Sequence, residues 1–216
     1  MSRKALYYIV FFILLAVAFY KIMTWVIPGY GNVKLPVLSR VQPFHFVNQN
    51  GDTISERETT GKVYVAEYFF TTCQSICPIM NTNLQSVYET YKNEPGFIIL
   101  SHTCDPEKDS AARLKVYADS LKVNTARWWF VTGRKDSLYA TARNSYLLDD
   151  PKNSLQSIDD QFIHTQFVAL VDKSGHVRKI YDALKKDELQ ELNKDIALLL
   201  KEPVTQKKFV NNIFGN

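Results

Sequence analysis

Cys73 and Cys77 stand four positions apart in Phe69-Phe70-Thr71-Thr72-Cys73-Gln74-Ser75-Ile76-Cys77-Pro78, directly after the most strand-like run of the 216-residue chain. Two thiols at this spacing can share one metal ion, cycle between dithiol and disulfide, or pack as two small apolar residues in a core. Pro78 suits the first turn of a helix, where its missing N–H costs nothing. Cys77 is then expected at a helix N-terminus, where the dipole favours thiolate, with both sulfurs chemically available. Spacing alone leaves all three readings open. With Cys104 the cysteine count is three, an odd number that does not suit a disulfide framework, so at least one thiol is free, transiently paired or metal-bound.

The elements that position these residues follow from periodicity. Lys62 to Phe70 is β-branched and aromatic, as a central buried strand would be. Met80, Leu84, Val87, Tyr88 and Tyr91 recur at helical spacing and predict a helix from about Cys77 to Lys92. Phe97 to Ser101 is a second strand, and the helix between the two strands implies a right-handed parallel crossover. In such a sheet ligands bind at the C-terminal strand ends, so Cys73 and His102-Thr103-Cys104-Asp105 should be neighbours. A helix from about Glu107 to Lys122, a strand over Trp128–Val131 and a helix over Asp136–Tyr146 come next. Asp-Pro-Glu at 105–107 reads as a helix opening, with Asp105 as a candidate cap. A long polar loop spans Leu147 to Gln161, followed by the hairpin Phe167–Val171 and Val177–Tyr181 and a last helix carrying Leu189, Leu192, Ile196 and Leu199. Upstream, Phe44–Val47 and Asp52–Ile54 form a hairpin turning at Asn50-Gly51. Hairpin, βαβ units, hairpin and helix together predict an α/β thioredoxin-like sandwich with an N-terminal hairpin extension.

The N-terminus adds a second kind of segment. Residues 5–27 are almost entirely apolar, with Arg3 and Lys4 before them and a lone Lys21 near the far end. That is long enough for the roughly 20 residues a membrane span needs, and no small-x-small cleavage site or early cysteine for lipid follows it. The expectation is one transmembrane signal anchor with its N-terminus inside, a Pro/Gly-containing tether over 28–42, a globular domain over 43–201 on the extracytoplasmic side, and a flexible tail over 202–216. The net charge is only +4, from 26 basic and 22 acidic residues, with no basic stripe, which argues against nucleic-acid binding.

Four segments in this order resemble the Sco/SenC family. They are Gln42 to Gly51, the C-x-x-x-C-P at Cys73 to Pro78, Ser101-His102-Thr103-Cys104-Asp105-Pro106-Glu107, and Phe162-Ile163-His164 ahead of the strand ending Val171-Asp172-Lys173-Ser174-Gly175. The resemblance implies a copper protein that helps assemble the copper centre of cytochrome c oxidase. It assigns Cys73, Cys77 and His164 as copper ligands, for Cu(I) or Cu(II), with no catalytic residues. The residue types agree, because two thiolates and an imidazole are a soft set suited to copper, whereas structural zinc usually takes four ligands. Implied partners are the copper-binding subunit of the oxidase and, further off, a copper donor chaperone or a thioredoxin-like reductant.

The same sulfurs leave a second reading open, a thiol–disulfide oxidoreductase that keeps the oxidase's copper-ligand cysteines reduced, with Cys73 and Cys77 as the redox pair. Two departures from the oxidoreductase pattern favour metal: three residues rather than two separate the cysteines, and His164 stands where such enzymes place a cis-proline. Two departures from the Sco pattern are also visible, Gln74 where proline commonly follows the first cysteine and Cys104 as an additional thiol. Asp105 and Cys104 are expected, at most, to orient a ligand or adjust charge around the site. His45 and His176, in the hairpins, are read as structural.

Overall fold

The computed structural model describes residues 3–26, 35–149 and 165–204, and the chain divides into two units at Leu35/Pro36. The first contains α1 (Arg3–Val26), 24 residues long, whose Leu, Ile, Val and Phe side chains from Leu6 to Ile22 are exposed. By length and composition Arg3–Met23 suffices to cross a membrane. A helix apolar on every side has no solvated face and suits a lipid environment.

In chain order the second unit comprises β1 (Ser39–Arg40), β2 (His45–Asn48), β3 (Thr53–Ser55), α2 (Glu56–Thr59), β4 (Val63–Phe69), α3 (Cys77–Tyr91), β5 (Phe97–Thr103), α4 (Ala111–Ser120) and β6 (Trp128–Thr132). It continues through α5 (Lys135–Thr141), a π-helical turn at Ala142–Tyr146, β7 (Phe167–Val171), β8 (His176–Asp182) and α6 (Lys186–Lys201). One eight-stranded sheet has the order β1-β8-β7-β4-β5-β6-β2-β3. Its centre, β4-β5-β6, is parallel, with Phe69 opposite Thr103 and His102 opposite Val131, and every other pairing is antiparallel. The strands expected from hydrophobic pattern are all present.

Period-2 alternation along β4 and β5 divides the core into two halves. Tyr64, Ala66, Tyr68, Ile98 and Leu100 face α5 and the π-helical turn, packing with Phe44, Phe46, Leu138, Tyr139 and Tyr146. The alternate residues Val63, Val65, Phe69 and Ile99 are equally buried on the other face, where α3, α4 and α6 contribute Met80, Leu84, Leu114, Leu192 and Ile196. Two polar residues interrupt the pattern. Glu67 falls on the α3/α4 face and His102 on the α5 face, both fully buried.

Local chemistry explains where boundaries differ from expectation. Ser39 and Arg40, within the expected tether, pair with Val177 and His176 of β8, so the folded unit begins ahead of residue 43. The β2–β3 turn is longer than Asn50-Gly51, because Asn48 Oδ1 accepts the N–H groups of Asn50 and Asp52 while Gly51 takes φ +89°. The second main helix starts at Ala111 rather than Glu107, with the Ser110 side chain accepting the Arg113 N–H as its cap. Asp105 is therefore not a helix cap. Its carbonyl accepts the N–H groups of Lys108 and Asp109 in a separate turn. Residues 28–34 of the expected tether, 150–161 of the expected long loop, the motif at 162–164, and 205–216 of the expected tail lie outside the described residues.

Candidate metal centre

At its C-terminal end β4 releases the chain into a turn that carries Cys73, whose N–H closes back on the Phe70 carbonyl at 3.1 Å. Cys77 is the first residue of α3 and Pro78 the second, as the proline rule predicts, and the Ile76 carbonyl accepts the N–H groups of Ile79 and Met80. Both cysteines are free thiols. The Cys73 sulfur accepts hydrogen bonds from the Cys77 thiol and backbone and from Ser75, whose hydroxyl lies 3.6 Å away.

The two thiols differ in acidity, and in the direction opposite to the helix-dipole expectation. Burial opposes ionisation of Cys73, but the hydrogen bonds from Cys77 and Ser75 outweigh it, and its pKa falls below the ordinary thiol value. Cys77, only 4% exposed, is pushed far up, by burial first and then by the hydrogen bond its thiol donates to Cys73. Desolvation of a sulfur tucked beneath its own helix exceeds the gain from the dipole. The more acidic thiol is thus the partly exposed Cys73, and the less acidic one the buried Cys77.

Cys104 does not join them as an accessible ligand. It is 1% exposed at the end of β5, its N–H bonds the Phe69 carbonyl at 2.8 Å, and its sulfur packs in the α5-side core. Burial drives its pKa well up, with the charges of Cys77 and Cys73 adding to the effect. The Asp105 carboxylate pairs with Lys108 Nζ at 3.0 Å. His164 lies outside the described residues. The nearest described positions are Thr165, whose hydroxyl accepts the Phe167 N–H, and Gln166, whose amide donates to Asp182. Because β7 runs antiparallel to β4 with Ala169 opposite Ala66, these residues enter the sheet at the end where Cys73 leaves it. Among the described residues, no three His, Cys, Asp or Glu side chains form a complete metal-binding group.

Pattern reading passed over two buried groups near this edge. Glu67 takes a hydrogen bond from the Ser101 hydroxyl, which in turn accepts Trp128 Nε1–H at 2.7 Å, while Oε2 has no hydrogen-bond partner among the described residues. Burial, only partly offset by Ser101, lifts its pKa to about 7, and its charge acts on Cys77. A lone carboxyl inside an apolar strand was visible as a break in the run Val63–Phe69. Asp109, 1% exposed, accepts hydrogen bonds from Thr71 and Thr103. Its position in a polar turn gave no sign of burial.

A sheet with parallel strands at its centre, carrying a C-x-x-x-C-P turn at one end, defines a class, and residues 36–201 match the SCO1/SenC family model. The chain belongs to the SCO1/SenC family. Among individual relatives, the SCO1 protein homolog of Bacillus subtilis (strain 168) is 29% identical over 172 residues, covering 78% of this chain and 86% of the relative. The solved structure of BsSco, a member of the Sco family of cytochrome c oxidase assembly proteins in which a disulfide switch was identified, superposes with a TM-score of 0.67 at 27% identity, covering 79% of this chain and all of that one. Yeast Sco1 with copper bound shares the fold at a TM-score of 0.57 and 24% identity, over 77% of this chain and 95% of that one.

Proposed function

We propose that this chain is a membrane-anchored copper chaperone that carries one copper ion as cargo on Cys73, Cys77 and His164 and delivers it to the copper-binding subunit of cytochrome c oxidase during assembly. The observation that supports this most is the pair of free thiols at the β4–α3 junction, one acidic and partly exposed, the other held beneath it. Thiolates stabilise Cu(I), and a third ligand from the segment ahead of β7 would complete a soft, low-coordinate set from which copper can leave by ligand exchange. Family membership and the copper-bound yeast relative support the metal. On this reading α1 is the anchor, its N-terminus inside and the folded unit extracytoplasmic. Asp105, neutralised by Lys108, adjusts charge at the rim.

The asymmetry of the two thiols also favours a second reading. An acidic exposed sulfur above a buried one is the arrangement of an attacking and a resolving thiol. BsSco, with its disulfide switch, supports redox use of this pair. In that role Cys73 attacks a disulfide of the partner and Cys77 releases the mixed disulfide, leaving two partner thiols and a Cys73–Cys77 disulfide.

Transfer experiments separate the two. Copper-loaded full-length chain in detergent, mixed with the soluble copper-binding domain of the oxidase subunit, should lose its metal to that domain, and His164→Ala, holding copper more weakly, should arrive with less of it to transfer. If instead copper-free reduced chain reduces the domain's disulfide, His164→Ala does so equally well and no copper moves, the reductase reading stands alone.

A further inference from the structure

We propose that Asp109 is a positioning residue for Cys73, its buried carboxylate clamping the turn that carries this cysteine to the end of β5. The inference rests on the proposed role of Cys73 and adds to it the group that sets where the sulfur stands.

Cys73 and Cys77 are held by independent means. Cys77 is fixed as the first residue of α3, in register with the buried Met80 and Leu84. Cys73 sits in a loop, and two residues before it Thr71 is attached to Asp109 twice, through its N–H at 3.0 Å and through its hydroxyl. The same carboxylate accepts the Thr103 hydroxyl at 2.6 Å, and Thr103 Oγ1 accepts the Asp105 N–H at 3.0 Å. Arg113 of α4 closes the network from outside: its Nε donates to Thr71 Oγ1 at 2.6 Å and lies 3.7 Å from Asp109 Oδ1. One carboxylate therefore joins the loop after β4, the end of β5 and the first turn of α4.

The chemistry accounts for a carboxylate at this position. A buried carboxylate is costly unless its oxygens are filled, and here three hydrogen bonds and a guanidinium fill them. Thr71 cannot slide without breaking two charge-assisted bonds, and only Thr72 separates it from Cys73. The Phe70–Cys73 turn bond then carries the constraint to the cysteine. A site of two or three ligands depends on its sulfurs being held in place by such a surrounding shell.

The test uses the full-length chain in detergent with three variants. Thr71→Val removes the hydroxyl but keeps the N–H, Thr71→Ser keeps both, and Asp109→Asn replaces one acceptor oxygen by a donor that faces donors. The first readout needs no metal: the rate at which diamide oxidises the reduced pair to a Cys73–Cys77 disulfide, itself becoming the hydrazine by taking up the two electrons and two protons. With the clamp lost, closure should slow about tenfold in Thr71→Val and Asp109→Asn, because the effective concentration of one sulfur at the other falls, while Thr71→Ser stays near wild type. The second readout, the Cu(II)–thiolate absorption spectrum, should shift in the same two variants and be restored in Thr71→Ser. Lower melting temperatures with wild-type closure rate and spectrum in Thr71→Val and Asp109→Asn would overturn the proposal and leave Asp109 a purely structural role. Should Asp109→Asn fail to fold, the Thr71 pair decides. Should the wild-type chain take up no copper, the copper reading fails, and the closure rates still decide the role of Asp109.

Discussion

A His102→Leu variant is expected to gain stability as pH is lowered from 7 to 4.5, whereas Glu67→Gln loses it over much the same range. His102 is fully buried, stacked on Tyr68 at 4.9 Å and edge-on to Phe46, with Nδ1 3.3 Å from the Glu67 carbonyl and Nε2 without a hydrogen-bond partner among the described residues. Burial, only partly offset by the backbone carbonyls of Glu67 and Leu100, lowers its pKa from 6.5 to about 3. Between those values the unfolded chain binds a proton that the folded one does not, so stability falls as pH drops. Glu67 is the mirror case. Its folded pKa of about 7, against 4.5 for an unperturbed carboxyl, means that the folded state binds the extra proton between those values, so stability falls as pH rises.

At 1.36 kcal/mol per pH unit, each group contributes about 3 kcal/mol over its part of this range, with opposite signs. In the wild type the two slopes oppose each other between about 4.5 and 6.5, and below 4.5 the loss at His102 is no longer offset by Glu67. Chemical denaturation of the full chain at pH 4, 5, 6 and 7, followed by tryptophan fluorescence, gives the curves. Parallel curves for the two variants would contradict the assignment.

Trp128→Ala is expected to cost about 3–5 kcal/mol, the range for emptying a large aromatic site in a packed core. Trp128 is fully buried, stacks on Phe130 at 5.7 Å, lies 5.8 Å from Tyr88, and donates to the Ser101 hydroxyl that serves Glu67. The cavity is one part of the loss. The other is that Ser101 and Glu67, both buried, are left with one hydrogen bond fewer between them. Trp128→Phe keeps a ring in the stack, loses the N–H together with part of the buried ring volume, and should cost less, about 1–2 kcal/mol. Equal losses in the two variants would show that packing carries little of the effect. Loss of under 1 kcal/mol in Trp128→Ala would refute the packing account.

These groups show what pattern alone conveys. The β4 run and the helical spacing from Met80 to Tyr91 are repeated features, and repeated features survive local exceptions; both elements formed where expected. C-x-x-x-C-P was legible because covalent chemistry and proline geometry act within a few residues. Acidity was not, because it depends on how deeply the Cys77 sulfur is buried, which tertiary packing decides. Cys104 and Asp105 follow β5 at the end of the sheet where Phe69 ends β4, but side-chain direction at a strand end is not encoded in spacing: Cys104 joins the core cluster and Asp105 pairs with Lys108. Asp109 was invisible for a related reason. An aspartate in a polar turn looks solvated until the turn after β4 folds over it.

The central claim is that Cys73, Cys77 and His164 together hold one copper ion. Competition for Cu(I) between the full chain in detergent and a chelator of known affinity measures it directly. One equivalent per chain is expected for the wild type and for Cys104→Ala, none retained by Cys73→Ser or Cys77→Ser, and an affinity weakened at least about tenfold by His164→Ala. Undiminished binding by Cys73→Ser or by His164→Ala would contradict it.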